Sequence, residues 1–250
     1  MKISILQQDI VWTDVEANIH RADAAVDAQP GADLYVFPEM FSTGFCTVPE
    51  GIAESSDGQT LQWMKSKAAQ IDAAIAGSIA VQENGNYFNR FYFVKPDGTV
   101  SSYDKKHLFT YGGEHKYFTA GSDRVVVEYR GVRILLEVCY DLRFPVWSRN
   151  HGDYDMILYV ASWPTSRVEA WKALLVARAI ENQCYVAGVN RVGEDSTNQY
   201  CGGSMVIDPY GKIIVACEDG VEMTVSAEIE MDRLEAFRMK FPVLNDSDVL

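Results

Sequence analysis

The sequence predicts an α/β fold in which helices cover a mixed sheet system, with two sheets packed face to face. Three observations carry that expectation. Strand-like and helix-like segments alternate from Ile3 to Ile71, the opening of a layered α/β arrangement. Farther on, neighbouring strand-like segments are joined by tight turns, Asn84-Gly85 foremost, so part of the sheet system must be antiparallel. Finally, 48% of the 250 residues are hydrophobic and 23% charged, enough apolar mass for a sizeable core.

Each element has a local reason. Ile3-Ser4-Ile5-Leu6 reads as the first strand. Thr13-x-x-Glu16 has the form of a capping box, and Val15, Ile19, Ala22 and Val26 follow at helical spacing. Leu34 to Phe37 is a buried strand stopped by Pro38, and a second helix covers Gln59 to Ile71. Ala73 to Gln82 and Tyr87 to Val94 form a hairpin, and Pro96-Asp97-Gly98 turns the chain into Thr99 to Tyr103. Val125 to Tyr129 turns through Gly131 into Val132 to Leu136, which runs directly to Cys139. Met156 to Val160 is a further buried strand, followed by a helix from Val168 to Asn182 and a strand over Tyr185 to Gly188. Met205 to Ile207, Ile213 to Ala216 and Thr224 to Ile229 complete the strand set. No repeat, low-complexity stretch or linker interrupts the chain, so one domain over residues 1–250 is expected.

Charge and cysteine usage narrow the function classes. The formal charge is −13, spread along the chain, which argues against a nucleic-acid partner and against docking on anionic membranes. The five cysteines (Cys46, Cys139, Cys184, Cys201, Cys217) are odd in number, widely spaced and free of any CxxC pair, a pattern suited to a reducing cytosol. The N-terminal apolar run is too short for a signal peptide, and no segment approaches the roughly 20 apolar residues of a membrane span. A cytoplasmic location is expected.

Three reactive residues sit where strands end, positions held by a sheet yet open to a pocket. Glu39, in Phe37-Pro38-Glu39-Met40-Phe41, is hemmed in by Phe37, Met40, Phe41 and Phe45. Such burial tends to raise a carboxyl pKa and suits a general acid/base; the alternative is a glutamate capping the next loop. In Tyr103-Asp104-Lys105-Lys106-His107 the strand alternation puts Lys105 and His107 on one face and Lys106 on the other. Only one lysine can point inward as a fixed cation for an oxyanion, and solvated charge is the plainer reading. Cys139 ends an apolar strand and begins a polar run that suggests a sharp elbow, with the Tyr140 N–H facing the same side. A nucleophile and a structural core cysteine are both compatible with that position. Arg178, Glu181 and Asn182 share a helix face, as an interface, as a brace beneath the site or as an i,i+3 surface pair.

In this order, the Pro-Glu segment, Tyr103-x-Lys105-x-His107-Leu108 and Cys139-Tyr140-Asp141-x-Arg143-Phe144-Pro145 resemble the nitrilase (carbon–nitrogen hydrolase) superfamily. The likeness runs from Gln7-Gln8-Asp9 to Lys240-Phe241-Pro242 and takes in Gly112-Gly113-Glu114-His115, Asn182-Gln183-x-Tyr185-Val186 and Gly202-Gly203-Ser204. The resemblance implies a four-layer αββα sandwich and a catalytic set in which Glu39 is general base and acid, Lys105 holds the oxyanion, Cys139 is the nucleophile and Glu114 supports the site. It also implies homodimers or larger homo-oligomers paired through a helical face.

Cys139 to Pro145 together with Ser162-Trp163-Pro164-x-x-Arg167 is similar to the bacterial ω-amidase group. That likeness implies hydrolysis of 2-oxo dicarboxylate monoamides such as 2-oxoglutaramate and 2-oxosuccinamate, by way of a Cys139 thioester. The substrate carboxylate then needs a cation. Arg167 is the first choice and Arg143 the second, the latter being better placed for a salt bridge with Asp141 or Glu137. Trp163 and Phe45 are expected to line the pocket. Glu137 departs from the family pattern, which favours an uncharged residue; a carboxylate there faces the thiol and disfavours its ionisation.

Competing readings are a nitrilase or another aliphatic amidase with the same Glu-Lys-Cys site, and a non-catalytic binding protein on the same fold. Tyr140-Asp141, where nitrilases resemble Trp-Glu, speaks against the first; retention of all three residues speaks against the second. His20, His107, His115 and His151 form no metal-ligand spacing, and no glycine loop cradles a phosphate, so neither a metal nor another cofactor is expected.

Overall fold

A computed structural model describes residues 1–246; the last four residues of the expected domain lie outside the described residues. In chain order the strands are β1 (Lys2–Gln7), β2 (Leu34–Val36), β3 (Glu54–Ser55), β4 (Ala74–Glu83), β5 (Asn86–Val94), β6 (Val100–Asp104), β7 (Val126–Tyr129) and β8 (Val132–Val138). They continue with β9 (Met156–Ala161), β10 (Tyr185–Asn190), β11 (Val192–Glu194), β12 (Gln199–Cys201), β13 (Met205–Ile207), β14 (Ile213–Ala216) and β15 (Met223–Glu228). The helices are α1 (Val15–Ala28), α2 (Gln59–Ile71), α3 (Val168–Asn182) and α4 (Met231–Lys240).

One sheet runs in the order β15-β1-β2-β4-β5-β6, with β3 added beside β4, and the other in the order β14-β13-β10-β9-β8-β7. Both are mixed. β1, β2 and β4 are parallel, as are β8, β9 and β10, while hairpin neighbours such as β4 and β5 are antiparallel. The β4–β5 turn is Asn84-Gly85, both with φ > 0 (52° and 78°), the backbone a two-residue hairpin of this twist requires.

Alternation of side chains along the strands builds the layers. Ile5, Val36, Ala76 and Phe93 of one sheet meet Ile134, Leu136, Leu158 and Val189 of the other in an apolar inter-sheet core. On the outer face of the first sheet, Leu6, Tyr35 and Ile75 pack on Ala22 and Val26 of α1 and Met64 and Ala68 of α2. On the outer face of the second, Leu135, Ile157 and Val186 pack on Trp171, Leu175 and Ala179 of α3. The result is the four-layer αββα sandwich.

Two local details differ from the sequence reading. The α1 cap is Asp14, whose carboxylate accepts from the Ala17 N–H at 3.0 Å, whereas Thr13 sits at φ 56° in the preceding turn. Phe37 and Phe41 do not enclose Glu39. They stack on each other at 4.8 Å and face Trp63 in the outer layer: β2 ends at Val36, and the turn at Met40 (φ 46°) breaks the alternation that would have kept Phe37, Glu39 and Phe41 on one side.

Candidate active site

The chain beyond β2 places Glu39 in the interior just before Met40, whose φ of 46° turns the backbone sharply. The Glu39 carboxylate is fully buried. Its Oε1 accepts from Lys105 Nζ at 2.8 Å and from Asn89 Nδ2 at 2.7 Å; its Oε2 accepts from the Ser162 N–H at 2.8 Å. Lys105 follows the end of β6, and its N–H donates to the Asn89 carbonyl at 3.0 Å. Its ammonium also donates to Glu114 at 3.0 and 3.2 Å, and Asn89 Nδ2 makes a second bond to Glu114 at 3.1 Å. Two carboxylates are thus held apart by two donors, one charged and one neutral. β6 ends at Asp104, so alternation does not carry through the segment: Lys106 lies over Trp147 at 5.4 Å, and His107, expected on the Lys105 face, lies beside the same ring at 6.0 Å.

Cys139 follows β8 with φ 47°, the left-handed region that a non-glycine residue enters only when its surroundings impose it. Asp141, fully buried, imposes it. Its Oδ2 accepts from the Val138 N–H (3.0 Å) and Tyr103 Oη (2.8 Å), and its Oδ1 accepts from the His107 N–H (2.9 Å) and lies 2.8 Å from His107 Nδ1. One carboxylate therefore ties the cysteine elbow to both flanks of the Lys105 segment. Tyr140 lies in the first turn of the following 3₁₀ helix, where a backbone N–H has no partner within the helix. Arg178 reaches up from α3 and donates to the Leu142 carbonyl at 2.6 Å while pairing with Glu181 at 2.8 Å, so the brace and the i,i+3 pair coexist.

Electrostatics follow from burial. Desolvation pulls the Lys105 ammonium down, but Glu114 and Glu39 outweigh it and hold the group protonated well above its ordinary range. Burial, aided by Glu39 and opposed by Lys105, pushes the Cys139 thiol well up, so the resting cysteine keeps its proton. Burial also raises Glu114. Glu137 does not face the thiol. It points to the α3 side, accepts from Ser148 Oγ at 3.2 Å, and is driven well above the ordinary carboxyl range by desolvation and by Asp141. Burial thus favours its neutral, protonated form, the uncharged state expected there.

A cavity of about 520 Å³ opens above Cys139 and Ser162, with Glu39 and Lys105 directly behind the thiol. Phe45, Phe109, Tyr140, Trp163 and Arg167 line it. Arg143 lines it too and corrects the sequence reading. Asp141 and Glu137 are engaged elsewhere, and the Arg143 guanidinium lies over the Trp163 ring at 4.8 Å. Arg167 lies over Phe109 at 5.4 Å, and Phe45 faces Lys105 Nζ at 5.2 Å. Trp163 is locked by Asn190, which accepts from the Trp163 N–H at 2.7 Å and donates to its carbonyl at 2.9 Å. The β11–β12 ribbon closes one wall with Asp195, Asn198 and Tyr200.

Sequence reading missed Asn89, Asp141 as the elbow tie, Asn190 and the β11–β12 wall. Asn89 had one usable signal, its place on a strand facing the same interior as Lys105. Among the described residues no three His, Cys, Asp or Glu side chains form a metal-ligand group; His107 stacks on Phe144 at 3.9 Å.

An αββα sandwich with a thiol, two carboxyls and an ammonium gathered at one cavity floor defines a thiol hydrolase of carbon–nitrogen bonds. Residues 2–239 match the family model described as carbon-nitrogen hydrolase, and the chain belongs to that family. It is 49% identical to the omega-amidase YafV of Escherichia coli (strain K12), covering 99% of this chain and 97% of that protein. It is 36% identical to the 2-oxoglutaramate amidase of Bacillus subtilis (strain 168), covering 98% and 96%. In structure it is similar to XC1258 from Xanthomonas campestris, a CN-hydrolase superfamily protein with an arsenic adduct in the active site. That likeness has a TM-score of 0.97 and 42% identity and covers 100% of this chain and 98% of that one.

Proposed function

We propose that this enzyme is an ω-amidase. It hydrolyses 2-oxo dicarboxylate monoamides such as 2-oxoglutaramate and 2-oxosuccinamate to the 2-oxo acid and ammonia. The observation that carries this reading is the hydrogen-bonded Glu39–Lys105–Glu114 cluster directly behind Cys139 in a cavity that also holds arginines. The 49% and 36% likenesses to an omega-amidase and a 2-oxoglutaramate amidase support the substrate class.

The chemistry follows from the donors and acceptors present. The thiol is protonated at rest, so Glu39 takes the S–H proton as sulfur attacks the amide carbon. The oxyanion that forms is held by Lys105, whose ammonium has three protons and two carboxylate neighbours, and by the Tyr140 N–H. The C–N bond breaks as Glu39 returns the proton to the departing ammonia, leaving a thioester. Water then attacks that carbonyl while Glu39 takes its proton, the C–S bond breaks, and the sulfur recovers a proton. Glu114 keeps Lys105 in place and charged through both steps. Arg167 and Arg143 receive the far end of the substrate, and Trp163 and Phe45 wall the acyl chain.

The reading is tested by ammonia release from 2-oxoglutaramate, 2-oxosuccinamate, glutamine and butanamide. The two oxo acids should lead; glutamine or butanamide ahead of both would overturn it. In Lys105→Ala, loss of one oxyanion donor should lower kcat at least about 100-fold, and a near-normal kcat would remove that role. Cys139→Ser should be inactive, because the serine proton is far harder to remove in this buried site.

No helix among the described residues is long and apolar enough to cross a membrane. We place the protein in the cytoplasm as a single domain, consistent with its five free cysteines, and as a homodimer through the apolar surface beside α3 and α4.

A further inference from the structure

Glu39 is bonded unevenly. Its Oε1 accepts from two donors, Lys105 Nζ and Asn89 Nδ2, while Oε2 accepts, among the described residues, from the Ser162 N–H alone. Each oxygen of an ionised carboxylate offers about two lone-pair sites, so Oε1 is filled and Oε2 has one site left. The oxygen free to take a proton is therefore the one that Ser162 already holds. Strand register brings the same N–H beside the sulfur. β8 and β9 run parallel with Val138 opposite Val160, and β9 and β10 with Ala161 opposite Asn190. The three strands end level: Cys139 follows β8, Ser162 follows β9, and Asn190 is the last residue of β10. Cys139 and Ser162 both line the cavity. Burial pushes the Cys139 thiol up, Glu39 adds to that, and the Ser162 N–H is among the groups that pull it back. One donor thus serves two acceptors that exchange a proton.

That donor is fixed from behind by a chain of buried polar groups. Ser162 Oγ donates to the Glu39 carbonyl at 3.2 Å. The next peptide units are gripped by Asn190, whose Oδ1 accepts from the Trp163 N–H (2.7 Å) and whose Nδ2 donates to the Trp163 carbonyl (2.9 Å) and the Gly202 carbonyl (2.7 Å). Ser204 Oγ in turn accepts from the Asn190 N–H at 2.9 Å and donates to its carbonyl at 3.0 Å, and Gln7 Oε1 accepts from the Ser204 N–H at 3.0 Å. Gln7, Asn190 and Ser204 are fully buried, and none of them lines the cavity. Burying such groups is costly unless all are bonded, and a fully bonded set permits one geometry. Here that geometry aims the Ser162 N–H between Glu39 and Cys139.

We infer that the Ser162 N–H is a catalytic donor that passes from Glu39 to Cys139 as the proton passes the other way, and that Asn190 is its positioning residue. At rest the N–H bonds the Glu39 carboxylate. When the S–H bond breaks, the proton binds Oε2 and the negative charge moves from that oxygen to sulfur. The protonated oxygen is the poorer acceptor, so the N–H turns to the thiolate. Once sulfur bonds to the amide carbon its charge is gone, and Oε2 recovers the N–H when Glu39 gives its proton to the departing ammonia. A hydrogen bond to an ionised group is roughly twice as strong as one between neutral groups, and this donor supplies one wherever the charge sits. The assignment rests on the mechanism proposed above, in which Glu39 takes the thiol proton, and deepens it without depending on which amide is cleaved.

The donor atom can be removed without touching a side chain, by incorporating the α-hydroxy analogue of serine at position 162 so that an ester replaces the Ala161–Ser162 peptide bond. Two readouts apply: ammonia release from 2-oxoglutaramate, and alkylation of Cys139 by iodoacetamide as a function of pH, followed by mass spectrometry. The ester should lower kcat at least about tenfold, the worth of a hydrogen bond to a charged group, with KM little changed, and should move the alkylation profile to higher pH. The same ester in Glu39→Gln separates the two acceptors. No carboxylate remains there to be protonated, so the alkylation shift should persist; its disappearance would mean that the N–H serves Glu39 alone and would overturn the inference. Asn190→Ala should lower kcat and move the alkylation profile in the same direction. A rise in KM with kcat and the alkylation profile unmoved would show that Asn190 acts only on the Trp163 wall, overturning its positioning role. Alkylation needs no substrate, so an intact enzyme that fails on 2-oxoglutaramate yet shows these shifts would overturn the ω-amidase reading and uphold the donor.

Discussion

Glu137 shows how burial favours the neutral form of a carboxyl where an uncharged side chain is expected. Its carboxyl is completely buried, one oxygen has no hydrogen-bond partner, and desolvation holds the group well above the ordinary carboxyl range. In the unfolded chain the same group loses its proton near the usual value of about 4.3. The folded state therefore binds more protons above that pH, and stability, complete below it, declines as pH rises toward the folded-state value. Glu137→Gln removes the titration, so its melting temperature should exceed that of the parent at pH 8 and match it near pH 4. An equal change at both pH values would mean the group does not titrate on unfolding. Asn89 poses a related question. Its amide donates to both Glu39 and Glu114, so Asn89→Asp replaces a shared donor by a third negative charge around Lys105. We expect kcat to fall by about 100-fold with the acid limb of the rate profile moved to higher pH; an unmoved acid limb would assign Asn89 to packing alone. Glu39, Lys105 and Cys139 were legible because each ends a strand inside a short motif. Asn89 and Asp141 were not, because their meaning lies in partners 50 and 38 positions away.

Elements meet at the cysteine elbow, where β8 becomes a 3₁₀ turn at an unfavourable φ. The strain is held from below by Arg178 of α3 and from the side by Asp141, which also grips Tyr103 and His107 beside Lys105. Asp141→Asn turns one acceptor oxygen into a donor facing other donors. An unsatisfied buried group costs about 1–3 kcal/mol, or roughly 2–12 °C in melting temperature for a chain of this size. The elbow should loosen as well, so kcat should fall more than KM rises. An unchanged kcat with a lower melting temperature would leave Asp141 as a stabilising residue only. The elbow itself was legible from an apolar strand running into a polar segment. Helix α4 was not, because only Leu234 of its ten residues is buried and no apolar stripe marks it. The β11–β12 ribbon was missed for a different reason. Its strands are three residues each, too short for alternation to register.

Across the whole molecule, alternation within strands was enough to read two stacked sheets, since each strand buries one face inward and one against a helix. What a single chain could not reveal is how the outer layers are covered. α3 and its surroundings leave Ile180, Tyr210, Met239 and Phe241 exposed, from 51% to 78%. All but Met239 form one surface: a Cβ on Gly211 would touch Ile180, Tyr210 packs on Phe237 at 3.8 Å, and Phe237 neighbours Phe241. A contiguous apolar patch of this kind marks an interaction site, and a net charge of −13 makes a like-charged partner costly unless the contact is apolar. A second copy of the chain meets that condition by placing the same uncharged patch on both sides of a two-fold contact. Light scattering should therefore give twice the 28.0 kDa chain mass. Ile180→Lys would place one cation per copy at that contact and, combined with Phe241→Ser, should halve the mass. Ammonia release per chain should persist, because neither residue lines the cavity. An undiminished mass in the double variant would locate the contact elsewhere, and a monomeric parent would remove it altogether.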